Sequence, residues 1–149
     1  MALTGSDVVN IVGGLVQGII QKDDLSILQQ CMQNAETLTT EIEVAVADFE
    51  KGGLEGYAQG LMEVSKIFKE IPQDLANCQA MGSDLTKLEE WAKIFLTPTT
   101  LIKVVSGNLI WHYKEITTDI SNAVADYNAA KYFEFGEQLG EALVVATKQ

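Results

Sequence analysis

The chain has 149 residues, of which 47% are hydrophobic, and its 10 basic and 21 acidic side chains give a net charge of −11. This length suits a single domain of residues 1–149, and the hydrophobic share supplies a core, which excludes intrinsic disorder. The acidity excludes nucleic acid as the expected partner, because binding to phosphates needs cations that displace their counterions.

Helical patterns begin near the N-terminus. The first predicted helix covers residues 7–21, with Ser6 as its cap. The second ends at Gly52 and carries apolar residues at a spacing of three and four, which places them on one stripe facing a partner helix. The residues of this stripe are Leu28, Cys31, Ala35, Leu38, Ile42, Ala45 and Phe49.

The remaining helices follow at similar intervals. A third covers residues 54–70 and ends at Pro72, and a short fourth segment leads to Gly82. A fifth covers residues 84–96, a long sixth runs from the Thr97-Pro98 pair to about Tyr127, and the last covers residues 131–147. We therefore predict an all-α bundle of six to seven helices. The longest apolar run, residues 8–20, is too short and interrupted to span a membrane.

One stretch of sequence occurs twice. Residues 38–49 match residues 116–127 at a shift of 78, and seven of the twelve paired positions are identical. Exposed residues recur along with apolar ones, which favours duplication over a shared helical pattern. We predict two tandem copies of a three-helix unit, residues 1–78 and 79–149, packed around a pseudo-twofold axis.

Few residues suggest chemistry. His112, the single histidine, lacks the nucleophile and orienting acid that a catalytic base needs, so we interpret it as a boundary residue. Asp48 and Asp126 each lie in the last turn of a long helix, where the helix dipole disfavours negative charge. A cation site is one interpretation, but a tether to the following helix explains better why both copies keep the residue. The sequence predicts no catalytic, cofactor-binding or metal site.

The two cysteines, Cys31 and Cys78, are too few for a zinc site in a chain with one histidine. They either form a disulfide or remain two buried thiols. The pair, the Ala-Val-Ala-Asp-aromatic helix ends and the motif from Phe135 and Gly136 to Gly140 together resemble a broad group of small secreted helical proteins abundant in ciliates.

That resemblance implies export, a disulfide between Cys31 and Cys78, and a compact bundle covering most of the chain. The group carries no catalytic residues to transfer. No basic stretch precedes Val8, so the sequence shows no leader peptide. We therefore expect a protein of the extracellular space or secretory lumen whose leader has been removed, with a cytoplasmic protein as the alternative.

Two functions fit these features. The first is a non-catalytic secreted protein that acts by surface interaction, through self-association or a protein partner. The second is a carrier of a small hydrophobic ligand, such as a lipid, in a cavity between the two halves. An enzyme needs converging polar residues that the sequence lacks. Membrane attack by the first helix would need lysines on a polar face of that helix.

Overall fold

The computed structural model describes residues 3–148, and every regular element within that range is a helix. The all-α prediction is confirmed, but the predicted number of six to seven helices is too low. Eight α-helices occur in the described range: α1 (Gly5–Ile20), α2 (Leu25–Cys31), α3 (Thr39–Lys51), α4 (Gly53–Asp74), α5 (Ser83–Ala92), α6 (Pro98–Trp111), α7 (Tyr113–Asn128) and α8 (Tyr132–Ala146). Short 3₁₀ turns cover Ala35–Leu38, Gln79–Met81 and Lys93–Leu96.

The second predicted helix is broken into α2 and α3. α2 ends at Cys31 because Met32 is extended, with a ψ of 130°. Asn34, which is left-handed with a φ of 56°, then starts the 3₁₀ turn. The amide of the preceding Gln33 donates a hydrogen bond to the carbonyl of Asp74 instead of continuing the helix. The predicted stripe survives the break, because Leu28, Leu38 and Phe49 are all buried.

The long sixth predicted helix is broken in the same way, at His112, into α6 and α7. His112 has a φ of −121° and a ψ of 30°, outside helical geometry, and precedes the first turn of α7. At the shift of 78 residues His112 pairs with Asn34, so the two breaks occupy matched positions.

Two predicted boundaries were wrong. α1 is capped by Thr4 rather than Ser6: the Thr4 hydroxyl accepts the Asp7 amide at 3.1 Å, and the Asp7 carboxylate accepts the Thr4 amide at 3.0 Å. α4 continues past Pro72 to Asp74. Pro72 has no amide N–H, so one helical hydrogen bond is lost. The helix nevertheless continues, because the Leu75 amide still donates to the Ile71 carbonyl at 2.9 Å.

The core is built on two closely packed groups of helices. α8 lies between α1 and α7, and α3 packs against α4. Glycines let α1 approach α8 at backbone distance: a methyl group on Gly14 would overlap the Phe133 carbonyl and lie 2.7 Å from the Glu137 nitrogen. Because the apolar side of α1 is buried in this contact, including Ile11 and Leu15, that surface is not offered to a membrane.

α6 is attached through its inner side. Leu101, Val105 and Leu109 point into the core and are buried. The side-chain amide of Asn108 donates to the carbonyls of Ala146 at 2.9 Å and Lys148 at 2.7 Å, which fixes α6 to the C-terminal end of α8. The opposite side of α6 therefore has a defined orientation toward solvent.

Candidate interaction surface

The outer side of α6 is the most exposed apolar surface of the described chain. Trp111 is 83% exposed and Ile110 is 68% exposed, and Ile102 on the flank is 52% exposed. We call this surface the α6 face and define it by Ile102, Lys103, Gly107, Ile110 and Trp111. Large apolar side chains usually lose contact with water on folding, so a cluster of them on one helix marks a surface that functions by being covered.

A groove borders the α6 face where α6 meets the start of α4. Its volume is about 390 Å³. Leu54, itself about half exposed, forms one wall, and Ile110 forms the other. The remaining lining residues are Glu55, Ala58, Ser106 and Leu109. The groove is thus largely apolar, with one carboxylate at its edge.

Charge is distributed unevenly around this surface. The 24 residues from 91 to 114 contain three lysines and no acid, although the whole chain carries 21 acids. All three lysines, Lys93, Lys103 and Lys114, are exposed. Lys93 forms an ion pair with Glu90 at 2.9 Å. With Lys103 and Lys114, the segment repels a negatively charged molecule less than the acidic remainder of the chain does.

Cys31 and Cys78 form a disulfide, with a Cα–Cα distance of 5.1 Å. The bond joins the end of α2 to the segment between α4 and α5, and Cys78 is completely buried. The predicted disulfide is therefore confirmed, and it constrains the first half of the chain rather than contributing to the α6 face.

The other residues singled out from the sequence lie apart from one another. Nδ1 of His112 is 3.8 Å from Oε2 of Glu115 in an open surface groove beside Trp111. Asp48 forms an ion pair with Lys51 at 3.5 Å instead of capping α4. The tether after Asp126 is made by its main chain, whose carbonyl accepts the Lys131 amide at 2.8 Å. The expected tether to the following helix is therefore present at Asp126, where the main chain makes it, and is not made by the Asp48 side chain.

Buried carboxyl groups form a second electrostatic feature. Burial, with Asp84 close by, raises the pKa of Asp24 to about 6. Burial also raises the pKa of Asp74, with Glu70 and Glu36 adding repulsion. Across α7 and α8, burial and neighbouring carboxylates raise the pKa values of Asp119 and Glu141. The folded structure disfavours the charged form of these carboxyl groups, so the free energy of unfolding depends on pH.

Within residues 3–148, no three histidine, cysteine or acidic side chains are grouped so as to hold a metal ion. No single helix in that range combines the length and apolarity needed to cross a bilayer.

Sequence reasoning missed the α6 face. Periodicity places Leu109 on an inner stripe and gives no position to Ile102, Ile110 and Trp111. Apolar residues around the whole circumference of residues 98–111, within a segment free of acids, were the signal that could have revealed it.

The fold and this surface define a small, disulfide-bonded, all-helical protein with one exposed apolar helix. A family described as SctB-like, secreted protein B-like, matches residues 2–146, and the chain belongs to that family. Its description points to secretion, which agrees with the expected export, whereas the match does not single out ciliates. No curated protein matches the chain. No solved structure matches it either.

Proposed function

We propose that the protein is a non-catalytic, secreted helical protein that acts by surface interaction or assembly through the α6 face. One observation carries this proposal: within residues 3–148, Trp111 and Ile110 are the two most exposed large apolar side chains, and they are adjacent on one helix. Tryptophan dominates protein interfaces when it is covered, because it buries a large area with few rotatable bonds. The disulfide supports a location in an oxidising compartment.

The construction of α6 supports the same function. Leu101, Val105 and Leu109 already supply the inward stripe that attaches the helix. Ile110 and Trp111 therefore contribute little to folding, and their side chains remain available to a partner. Exposed apolar residues that the fold does not need are the expected composition of the centre of an interface.

The test compares the protein's size in the medium of the cells that secrete it. We expect the wild-type chain to elute from gel filtration as part of a larger complex and the Ile110→Ser variant to elute as a monomer. Val44→Ser, which removes a partly exposed apolar side chain on α3, is the matched control and should elute like the wild type. A wild-type chain that elutes as a monomer would contradict the proposal.

A second candidate function is carriage of a small hydrophobic ligand. It is favoured by the α4–α6 groove, whose volume of about 390 Å³ falls within the range of ligand pockets and whose walls come from residues of both predicted halves. By contrast, the enclosed space between α4 and α5 measures about 10 Å³ and could hold at most one water molecule. Native mass spectrometry of the secreted protein would detect the ligand, and a ligand-free mass would argue against this function.

We also propose that the fold is a single domain made of two tandem copies, residues 1–78 and 79–149. The matched helices support it, because Leu38, Ile42 and Ala45 are buried, and so are their counterparts Ile116, Ile120 and Ala123. The shift of 78 residues places α1 on α5 and α4 on α8. The contact between α1 and α8 therefore corresponds to the contact between α5 and α4. Glycines bring the first pair together, whereas the second is filled by the aromatic rings of Phe68, Trp91 and Phe95. Under this proposal the matched contacts are packed differently, the first at backbone distance and the second through aromatic side chains.

A further inference from the structure

Gly107 is unlike the other glycines inside the helices. A methyl group on it would meet nothing within 4 Å. By contrast, methyl groups on Gly14, Gly18, Gly136 and Gly140 would collide with the backbone of a neighbouring helix. A glycine inside a helix lowers the stability of that helix relative to alanine. Nothing within the described chain accounts for that cost at Gly107, which lies at the centre of the α6 face.

The neighbours of Gly107 form a self-complementary pattern. Lys103 lies one turn before it and Trp111 one turn after it, on the same side of the helix. If two α6 helices cross antiparallel with Gly107 at the crossing point, each Lys103 lies opposite the partner's Trp111. A lysine ammonium group is attracted to the face of an indole ring, so this register makes two equivalent cation–π contacts.

We infer that a second copy of this chain docks on the α6 face, with the two α6 helices antiparallel and closest at Gly107. The inference rests on the proposed function and names the partner of that surface. Gly107 removes the side chain that would hold the two helices apart, as the glycines of α1 and α8 do within one molecule. Trp111 of each copy is then covered by the α6 helix of the other copy.

Charge favours a second copy docking at this place. Two molecules of net charge −11 repel each other over most of their surfaces, but the segment from 91 to 114 has no acid. The association should therefore strengthen as salt screens the long-range repulsion, whereas binding of the lysines of this segment to an anionic membrane would weaken.

The arrangement also limits assembly to two molecules. Both copies use the same surface and are related by a twofold axis, so the interface is isologous and closed. A dimer is expected rather than a filament, since each α6 face is covered once the pair has formed.

The test uses the purified full chain with its disulfide intact. In sedimentation equilibrium, the wild type should reach twice its monomer mass at concentrations of about 10–100 μM, and added salt should shift the equilibrium toward the dimer. Trp111→Ala should weaken the dimer by at least about thirtyfold, as loss of an interface hot spot does. Gly107→Ala should weaken it by about tenfold, while its monomer gains thermal stability.

A crosslinking experiment fixes the register. Gly107→Cys places a thiol at the proposed crossing point, and mild oxidation should join two copies through it. Val44→Cys, on the exposed side of α3, is the control and should remain monomeric. Equal crosslinking of both variants, or none at Gly107→Cys, would overturn the proposed register.

The outcomes separate this inference from the proposed function. The purified chain could stay monomeric while the secreted form elutes in a complex that depends on Ile110. That result would overturn the inference of a second copy and would still support the proposed surface function. A monomer that binds vesicles of phosphatidylserine and phosphatidylcholine through Trp111 would assign the α6 face to lipid and also overturn the second copy. Monomers in both experiments would overturn both proposals.

Discussion

Gly18 and Gly140 face each other across α1 and α8 so closely that neither can carry a side chain. A methyl group on Gly140 would lie 3.2 Å from the Cα of Gly18, and one on Gly18 would lie 3.1 Å from the Cα of Gly140. Gly14 and Gly18 of α1, which look unfavourable for a helix, are therefore required by the packing of the first helix against the last.

The first prediction compares glycines in two environments. Gly18→Ala should lower the free energy of unfolding by about 3 kcal/mol, because the added methyl group forces two backbones apart. Gly107→Ala, which meets open space, should raise it by up to about 1 kcal/mol. Urea denaturation of both variants below the concentration at which the protein associates checks the difference. Equal effects would refute the close approach of α1 and α8.

The second prediction concerns the disulfide. Replacing Cys31 and Cys78 together by alanine should destabilise the protein by about 4 kcal/mol, because the bond closes a loop spanning a sequence separation of 47 residues. The denaturation midpoint should fall, and reduction of the wild-type protein should produce a shift of similar size. An unchanged midpoint in both experiments would contradict a stabilising bond.

The third prediction follows from the buried carboxyl group of Asp24. The folded-state pKa, about 6, lies above the ordinary value of 3.8, so the charged carboxylate destabilises the fold above pH 6. The penalty declines as the pH falls through 6 and disappears below 3.8. Asp24→Asn should therefore stabilise the protein by about 2–3 kcal/mol at pH 7.5 and hardly at all near pH 4.

A control substitution tests whether burial is responsible. Glu89→Gln removes an exposed carboxylate from α5, the helix that also carries Asp84. Its stability should follow that of the wild type across the same pH range. A pH-independent gain in Asp24→Asn, or an equal gain in Glu89→Gln, would contradict the assignment.

The fourth prediction is that the two predicted halves unfold together. Phe68 of the first half stacks on Phe95 of the second at 5.0 Å and meets Trp91 edge-on at 5.1 Å. Phe68→Ala should cost about 3–5 kcal/mol. In a Trp111→Phe background, Trp91 fluorescence and far-UV circular dichroism should report one coincident transition. Two separate transitions would show that the halves are independent domains.

Much of the fold could be predicted from periodicity, because apolar spacing reports which side of a helix is buried. Leu38, Ile42 and Ala45 are buried as their spacing predicts, although they do not share one straight helix with Leu28. The breaks at Asn34 and His112 could not be foreseen in this way. Residues 32–34 leave helical geometry at the first break, and the Gln33 amide donates there to the Asp74 carbonyl. Periodicity does not report such a tertiary hydrogen bond.

The surface was harder to predict than the core. An apolar residue counts as buried in a periodic pattern until the neighbouring helices are placed, and Trp111 lies just beyond the part of α6 that other helices cover. The sequence alone did not decide between a disulfide and two free thiols. Two cysteines fit either a bond or two buried thiols until the fold brings their Cα atoms to 5.1 Å.

The central claim, that the α6 face is covered when the protein acts, is tested most directly by the fluorescence of Trp111. A Trp91→Phe variant leaves Trp111 as the only tryptophan. In the assembled, secreted form, its emission should shift to shorter wavelength and resist quenching by iodide, and Ile110→Ser should reverse both effects. Emission that remains at long wavelength and fully quenchable in the assembled form would contradict the claim.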